Sequence, residues 1–304
     1  MTDSAPSLAP IAAGSRFVLA LPDGPMSGLR FGRETSPPDL VFLHATGFNA
    51  ETYTPLLAPL ADRFSILALD QRGHGLTRLP TDPAHLISWQ PYADDVVRAI
   101  DLLVPDGAKP IVLAGHSMGG IVALLAAGAR PAKVRGLLLL DPVLMPHLMR
   151  LSLYTAWGRA KARAFGLAVG AAKRRALFPS KEEAVATYRT RSAFKTWQPG
   201  FLEAYVEGGF VPDPEGVRLA CAPAWESATF AAHRHNAWRV LKRLTMPVRL
   251  LAAGHGSTVK GGIATVNRVA PKVQAAVVEG TTHFFPMEKP AVVQGALVDL
   301  LTRS

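Results

Sequence analysis

The 304-residue sequence contains a single cysteine, Cys221, so no disulfide can form within the chain. One cysteine also excludes metal sites built from several thiolates. No run of about 18 apolar residues occurs, which argues against a membrane-spanning helix. Residues 1–14 lack the basic start and apolar stretch of a secretory signal. From these absences we expect a cytoplasmic protein.

Acidic residues are scarce beside basic ones: 23 Asp and Glu face 33 Lys and Arg, for a formal net charge of +10. Between Arg150 and Arg243 there are sixteen Lys and Arg against seven Asp and Glu. Such a surplus attracts anionic substrates, anionic lipid or nucleic acid, but it is also typical of a solvated basic surface. No nucleic-acid-binding motif accompanies it. We favour the solvated surface, with steering of anionic substrates next, and expect no nucleic-acid partner.

The remaining composition is that of a globular protein, with 49% hydrophobic and 18% charged residues. Residues 1–14 are rich in Ser, Ala and Pro, which predicts a flexible tail. Strands are predicted near residues 17–20, 29–32, 40–44, 66–70, 111–115, 134–141, 248–253 and 273–279. Helices are predicted at 52–61, 91–104, 117–129, 263–269 and 288–302. This alternation predicts an α/β fold with a mostly parallel sheet and helices on both faces, beginning with an antiparallel pair.

About a hundred residues separate the sixth and seventh predicted strands, and none carries a signal strong enough to extend the sheet. Residues 154–177 and 182–192 are predicted to be helical. The segment is rich in aromatic residues, which more often pack a segment onto its core than line a binding site.

The most informative motif is Gly115–Gly119, with the sequence GHSMG. It stands between a short apolar strand (residues 111–114) and a helix of small residues. A serine at such a turn is pushed out of the sheet, and glycines two residues either side remove Cβ atoms that would clash. The pattern is the G-x-S-x-G nucleophile elbow, with Ser117 as the nucleophile.

Three further motifs make the chain similar to the α/β-hydrolase superfamily. They are HATGFN at residues 44–49, DQRGHG at 70–75 and GTTHF at 280–284, each following a predicted strand. The resemblance implies an eight-stranded, mostly parallel sheet with a helical cap inserted after the sixth strand. We therefore expect the core to comprise residues 15–144 and 244–304 and the cap to comprise residues 145–243.

The same resemblance implies the roles of several residues. His283 is the one of nine histidines that follows the last strand, and it is expected to act as general base and acid. The oxyanion hole is expected from the amides of Met118 and Thr46, with Ala45 as an alternative donor. Family members usually have glycine where this chain has Ala45.

The acid of the triad is the main departure from the family pattern. The loop after the seventh strand, residues 254–259, contains no carboxylate. Some family members place the acid after the sixth strand, where this chain has Asp141. We expect Asp141 to orient His283. Glu226 in the cap, or a Ser–His dyad without an acid, are the alternatives.

These residues predict a serine hydrolase that cleaves carboxylic esters, with a small-molecule substrate, an apolar acyl group and no metal or organic cofactor. A hydrolase of C–C bonds is the first alternative, beside lactone and thioester hydrolases. A non-catalytic receptor with the same fold is the alternative from another class. The sequence leaves the substrate and the oligomeric state open.

Overall fold

The structure is a computed structural model that describes residues 14–303. Its strands are β1 (Ser15–Leu21), β2 (Gly24–Phe31), β3 (Leu40–Leu43), β4 (Ile66–Leu69), β5 (Ile111–His116), β6 (Val134–Leu140), β7 (Leu177–Phe178), β8 (Phe210–Asp213), β9 (Gly216–Leu219), β10 (Val248–Ala253) and β11 (Gln274–Val278). Its α-helices are α1 (Thr54–Leu57), α2 (Gln90–Leu103), α3 (Met118–Ala129), α4 (His147–Ser152), α5 (Ala156–Arg163), α6 (Gly166–Ala172), α7 (Lys181–Arg189), α8 (Phe201–Gly209), α9 (Pro223–Ala231), α10 (Ala237–Leu241), α11 (Gly262–Val269), α12 (Phe285–Glu288) and α13 (Pro290–Thr302).

Eight strands form the main sheet in the order β1-β2-β4-β3-β5-β6-β10-β11. β1 pairs antiparallel with β2, and β2 antiparallel with β4, while every later pair is parallel. Parallel strands need crossover connections, and the intervening helices supply them. The carboxyl ends of β3, β5, β6 and β10 therefore lie side by side at one edge of the sheet. This is the α/β-hydrolase fold that the sequence predicted.

The central strands are buried on both faces, which explains why β5 and β6 are almost wholly apolar. Successive side chains of a strand point to opposite faces. Accordingly Leu113 and Leu139 belong to the core beneath α2 and α3, while Ala114 and Leu140 belong to the core beneath α13. The two apolar layers, one on each face of the sheet, thus fix the position of the strand ends. Polar side chains follow at those ends.

Residues between β6 and β10 form an insertion that does not extend the main sheet. It contains helices α4 to α10, but it also contains an antiparallel sheet in the order β7-β9-β8. The sequence predicted helices in this insertion, but it did not predict these three short strands. These strands have two to four residues, too short for a period-2 pattern to be recognised. The predicted helix at 154–177 is also broken, since α5 and α6 are separate and α6 ends at Ala172.

Most other predicted elements are confirmed to within a few residues at their ends. The helix expected at 52–61 is instead a series of short turns, Glu51–Tyr53, α1 and Ala58–Leu60. The predicted tail at 1–14 lies almost entirely outside the described residues. Across the described part of the chain, no helix has both the length and the apolar character needed to cross a membrane.

Candidate active site

Ser117 occupies the sharp turn between β5 and α3, with φ of 57° and ψ of −116°. A positive φ is unusual for a residue with a Cβ and costs on the order of 1–3 kcal/mol. A Cβ at Gly115 would collide with the carbonyl of Gly119, and a Cβ at Gly119 with the carbonyl of Leu43. The amide of Ser117 donates to the carbonyl of Leu140 at 2.8 Å. Close backbone packing therefore holds the serine in a strained conformation at the end of a central strand.

His283 lies in the loop between β11 and α12. Its Nδ1–H donates to Oδ2 of Asp141 at 2.6 Å, so the lone pair of the neutral ring is on Nε2. The loop is held by Glu288, whose carboxylate accepts from the amide of Thr282 at 2.8 Å and from its hydroxyl at 2.6 Å. Among residues 14–303, neither Nε2 of His283 nor Oγ of Ser117 has a hydrogen-bond partner. Contacts of this kind often tighten only when substrate binds.

Asp141 directly follows β6 and is fully buried. Its Oδ1 accepts from the Ala253 amide at 3.0 Å and the Ser257 hydroxyl at 2.5 Å, and its Oδ2 accepts from the Thr258 amide at 2.9 Å. Burial alone would raise the pKa of Asp141, but the hydrogen bond and charge of His283, together with these donors, lower it to about 2. The carboxylate is therefore ionised at neutral pH, and it fixes one tautomer of His283.

The alternative acid, Glu226, is paired with an arginine of the insertion and not with His283. Both of its oxygens accept from Nη1 of Arg174, at 2.9 and 2.7 Å, and Arg174 also donates to the hydroxyl of Tyr205 at 2.7 Å. Within the described residues no hydrogen bond joins Glu226 to His283. The structure therefore brings Asp141, and not Glu226, to the histidine.

The two predicted oxyanion donors lie on different elements. Met118 is the first residue of α3, where amides have no acceptor inside the helix. Thr46 lies in the loop after β3. Neither amide has a protein acceptor among residues 14–303. The alternative donor, the amide of Ala45, is already bonded to the hydroxyl of Tyr53 at 3.2 Å. Of these three amides, those of Thr46 and Met118 are the ones left available.

A series of buried hydrogen bonds connects the loop after β3 with the loop of His283. The Tyr53 hydroxyl accepts from Ala45 and donates to Nδ1 of His116 at 2.7 Å. Nε2–H of His116 donates to the carbonyl of His283 at 2.9 Å. Desolvation lowers the pKa of His116 to about 3, so the ring is neutral and can both accept and donate. His116, the residue that precedes Ser117, is thereby linked to both loops, to one through Tyr53 and to the other directly.

Sequence reasoning missed several residues that build this site. Ser257 and Thr258 lie in the loop where the family pattern places the acid. Their hydroxyl groups were the available signal that this loop donates hydrogen bonds to a carboxylate elsewhere in the chain. Tyr53 gave no signal, because its contacts with Ala45 and His116 depend on the tertiary fold. Over residues 14–303 no group of three or more metal-ligating side chains is arranged to hold a metal ion.

The fold and this arrangement at the strand ends define an α/β-hydrolase. Residues 40–295 match the sequence profile of the alpha/beta hydrolase family, and the chain belongs to that family.

Relatives of the chain are hydrolases. It is 26% identical over 268 residues to 2-(acetamidomethylene)succinate hydrolase of Mesorhizobium japonicum, covering 88% of each chain. It is 36% identical over 136 residues to the pimeloyl-[acyl-carrier protein] methyl ester esterase of Stenotrophomonas maltophilia, covering 42% of this chain and 48% of that one. The crystal structure of E-2-(acetamidomethylene)succinate hydrolase is similar in fold, with a TM-score of 0.77, 22% identity and coverage of 95% and 99%.

Proposed function

We propose that this protein is a serine hydrolase that cleaves carboxylic esters through an acyl-enzyme intermediate. The observation that carries the proposal is the 2.6 Å hydrogen bond between His283 and the buried, ionised Asp141. In the neutral ring this bond leaves the lone pair on Nε2 of His283, and the His283 loop is bonded to His116, which directly precedes Ser117 on its strained turn. A neutral serine hydroxyl is a weak nucleophile, so a base prepared in this way is what Ser117 requires.

In the proposed first step, Ser117 Oγ bonds to the carbonyl carbon of the ester while its proton passes to Nε2 of His283. The amides of Thr46 and Met118 donate to the negatively charged oxygen, and each such donor is worth roughly 3 kcal/mol in the transition state. Asp141 stabilises the imidazolium. His283 then returns the proton to the departing alcohol, leaving an acyl-serine.

In the second step a water molecule attacks the acyl-serine. His283 takes one proton from this water, and the tetrahedral intermediate collapses to release the carboxylic acid. The proton returns to Ser117 Oγ, so that enzyme and protonation states are restored.

An aromatic cluster beside His283 supports an apolar acyl group. Phe48 and Phe284, from two core loops, stack with ring centroids 6.0 Å apart. Trp197 of the insertion lies 5.7 Å from each of them, and Tyr205 lies 5.2 Å from Phe48. Residues of the insertion and of the core therefore meet next to the general base. This contact supports the proposed division into a core (15–144 and 244–304) and a cap (145–243) that covers the site and excludes water.

A second candidate is hydrolysis of a small acylated dicarboxylate. The relative that matches this chain over 88% of both lengths is named for a substituted succinate. The surplus of basic residues between Arg150 and Arg243 would attract such a dianion. The single cysteine supports a cytosolic location for either activity.

A panel of p-nitrophenyl esters from acetate to palmitate, run beside 2-(acetamidomethylene)succinate, tests both candidates. We expect ester turnover, with an optimum that reports the depth of the acyl site. A fluorophosphonate probe should label the wild-type protein and the Ser192→Ala control, whose serine is exposed, but not Ser117→Ala. Labelling of Ser117→Ala at the wild-type rate would disprove the proposal. Turnover of the succinate alone would favour the second candidate.

A further inference from the structure

The first part of the insertion exposes large apolar and aromatic side chains. Eight of the fourteen such side chains that are exposed in the described structure lie between Leu148 and Val169. Leu148 is 80% exposed, Trp157 68% and Leu167 55%. Scattered single apolar residues are normal on a surface, whereas a concentration of them marks an interaction site. Helices α4, α5 and α6 carry six of these eight.

These three helices bury their small residues and expose their large ones. The buried positions of α5 and α6 are Gly158, Ala168 and Ala171, and α4 buries none of its residues. An amphipathic helix of a globular protein normally turns its large apolar side chains toward the core. The reversal means that α4–α6 pack on the protein through small side chains and present an apolar face outward.

The same segment carries only positive charge. No Asp or Glu occurs from residue 142 to residue 181, where there are eight Lys and Arg. Trp157 has the ammonium of Lys161 5.0 Å from its ring centroid. Tyr154 has the guanidinium of Arg234 at 4.1 Å, and its carbonyl accepts from Arg159 at 3.1 Å. Cations and exposed aromatic rings are therefore direct neighbours on this surface.

Three arginines, two of them in α5, share a cleft. Arg159, Arg163 and Arg234 line it together with Leu86, Ile87 and Leu153, and it opens to solvent. Among residues 14–303 none of the three has a carboxylate within 4.0 Å. Arginine guanidinium groups recognise phosphate through paired hydrogen bonds. The cleft thus presents the positive charge that the phosphate of a lipid headgroup would bind.

We propose that α4–α6 dock this protein on the surface of a membrane that contains anionic phospholipid. Trp157, Leu148 and Leu167 enter the boundary between headgroups and acyl chains, and the arginine cleft binds lipid phosphate. Helices with an apolar face and a Lys- and Arg-rich flank lie in the membrane interface in this way. A second copy of the chain fits the surface poorly, because a symmetric contact would bring unneutralised arginines together.

Vesicle co-sedimentation of the full chain tests the proposal. With vesicles of 70% phosphatidylcholine and 30% phosphatidylglycerol we expect binding that weakens as salt rises. With pure phosphatidylcholine we expect at least tenfold weaker binding. Equal binding to both compositions, or none to either, would overturn the proposal.

Two pairs of variants separate the contributions of charge and of apolar side chains. Arg159→Gln with Arg163→Gln should weaken binding to the anionic vesicles more than tenfold, since each cation near the surface contributes roughly fivefold. The matched control is Arg268→Gln with Lys272→Gln, which removes the same charge from an exposed region after the insertion. Leu148→Ser with Trp157→Ser should weaken binding to a similar degree, and Leu102→Ser with Val292→Ser should not.

Unfolding midpoints of all variants should lie close to that of the parent, because every substituted side chain is exposed except that of Arg159, which is partly buried. Hydrogen exchange should show protection of residues 147–170 on anionic vesicles. An equal effect of the target and control pairs would contradict the proposal. So would self-association that the Leu148→Ser and Trp157→Ser pair abolishes, since the apolar face would then bind a second copy. Vesicle binding does not require Ser117, so this test stands apart from the proposed hydrolysis.

Discussion

His44 and His74 each accept a hydrogen bond from the loop in which the other one lies. Nε2 of His44 accepts from the amide of Gln71 at 2.9 Å, and Nε2 of His74 accepts from the amide of Gly47 at 3.0 Å. The two ring centroids are 4.9 Å apart. Because Gly47 follows Thr46, this reciprocal bonding fixes the loop that would supply an oxyanion donor.

We predict that His74→Phe lowers kcat roughly 10- to 100-fold with a small change in KM. The substitution removes the acceptor of the Gly47 amide, so the amide of Thr46 loses its position relative to the developing charge. Steady-state kinetics with the best p-nitrophenyl ester measure the effect. The exposed His85→Ala provides the control. A rise in KM at unchanged kcat would show that the loop serves substrate binding instead.

Stability should fall as the pH falls from about 6.5. Desolvation lowers the pKa of His44 to about 4, and the pKa of His74 and of His116 to about 3. The unfolded chain takes up these protons near pH 6.5, whereas the folded protein does not until pH 3–4. The histidines therefore stabilise the fold fully above pH 6.5, and this contribution is lost as the pH falls toward the folded pKa values.

Urea denaturation at pH 8, 7, 6 and 5 measures this loss. Each histidine contributes a slope of up to about 1.4 kcal/mol per pH unit. Asp141, with its pKa lowered to about 2, adds a loss in the same direction below about pH 4. An unfolding free energy that stays constant from pH 8 to pH 5 would contradict the prediction.

Asp141→Asn should reduce kcat about 10³- to 10⁴-fold, because an amide favours the wrong tautomer of His283. Glu226→Gln should cost far less activity, since Glu226 bonds to Arg174. Because Ser257 already contacts Asp141 at 2.5 Å, Asp141→Asn combined with Ser257→Asp should recover part of the activity. If Asp141→Asn is nearly silent while Glu226→Gln is inactive, the acid comes from the insertion.

Substitution at Ser117 should separate activity from stability. Ser117→Ala is expected to lower kcat by 10⁴-fold or more while the fold stays intact. Ser117→Gly should be equally inactive, but its free energy of unfolding in urea should exceed that of Ser117→Ala by about 1 kcal/mol. The reason is that glycine adopts φ of 57° without strain. The order of the two unfolding midpoints is the measurement. A glycine variant less stable than the alanine variant would show that the turn is not strained.

Trp197→Ala should change the ranking of esters by chain length more than it changes the rate with acetate. Its ring lies 5.7 Å from both Phe48 and Phe284, where the acyl chain is proposed to bind. The kcat/KM values across the ester panel test this. Trp157→Ala, at an exposed position of the same insertion, is the control. A uniform decrease with every ester would indicate damaged packing.

Much of the fold could be predicted from the sequence, because long apolar strands and the helices between them leave clear patterns. The short strands β7, β8 and β9 could not, since two to four residues show no period. For the site, the sequence suggested Ser117 and His283 through their motifs, and Asp141 only because a carboxylate was missing elsewhere. Their roles remain predictions. The contacts of Tyr53 and Ser257 depend on distant parts of the chain, and no local sequence pattern indicates them.

The connection after Asp141 has a consequence for how this protein could be re-engineered. Leu144 is fully buried and forms a parallel bridge with Val259, with its amide donating to Thr258 and its carbonyl accepting from Lys260. The chain is thus fixed to the core three residues after Asp141 and just before the insertion begins. Insertions of other lengths or compositions could be grafted after this fixed point without transmitting strain to Asp141. New substrate ranges could then be built on an unchanged set of strand ends.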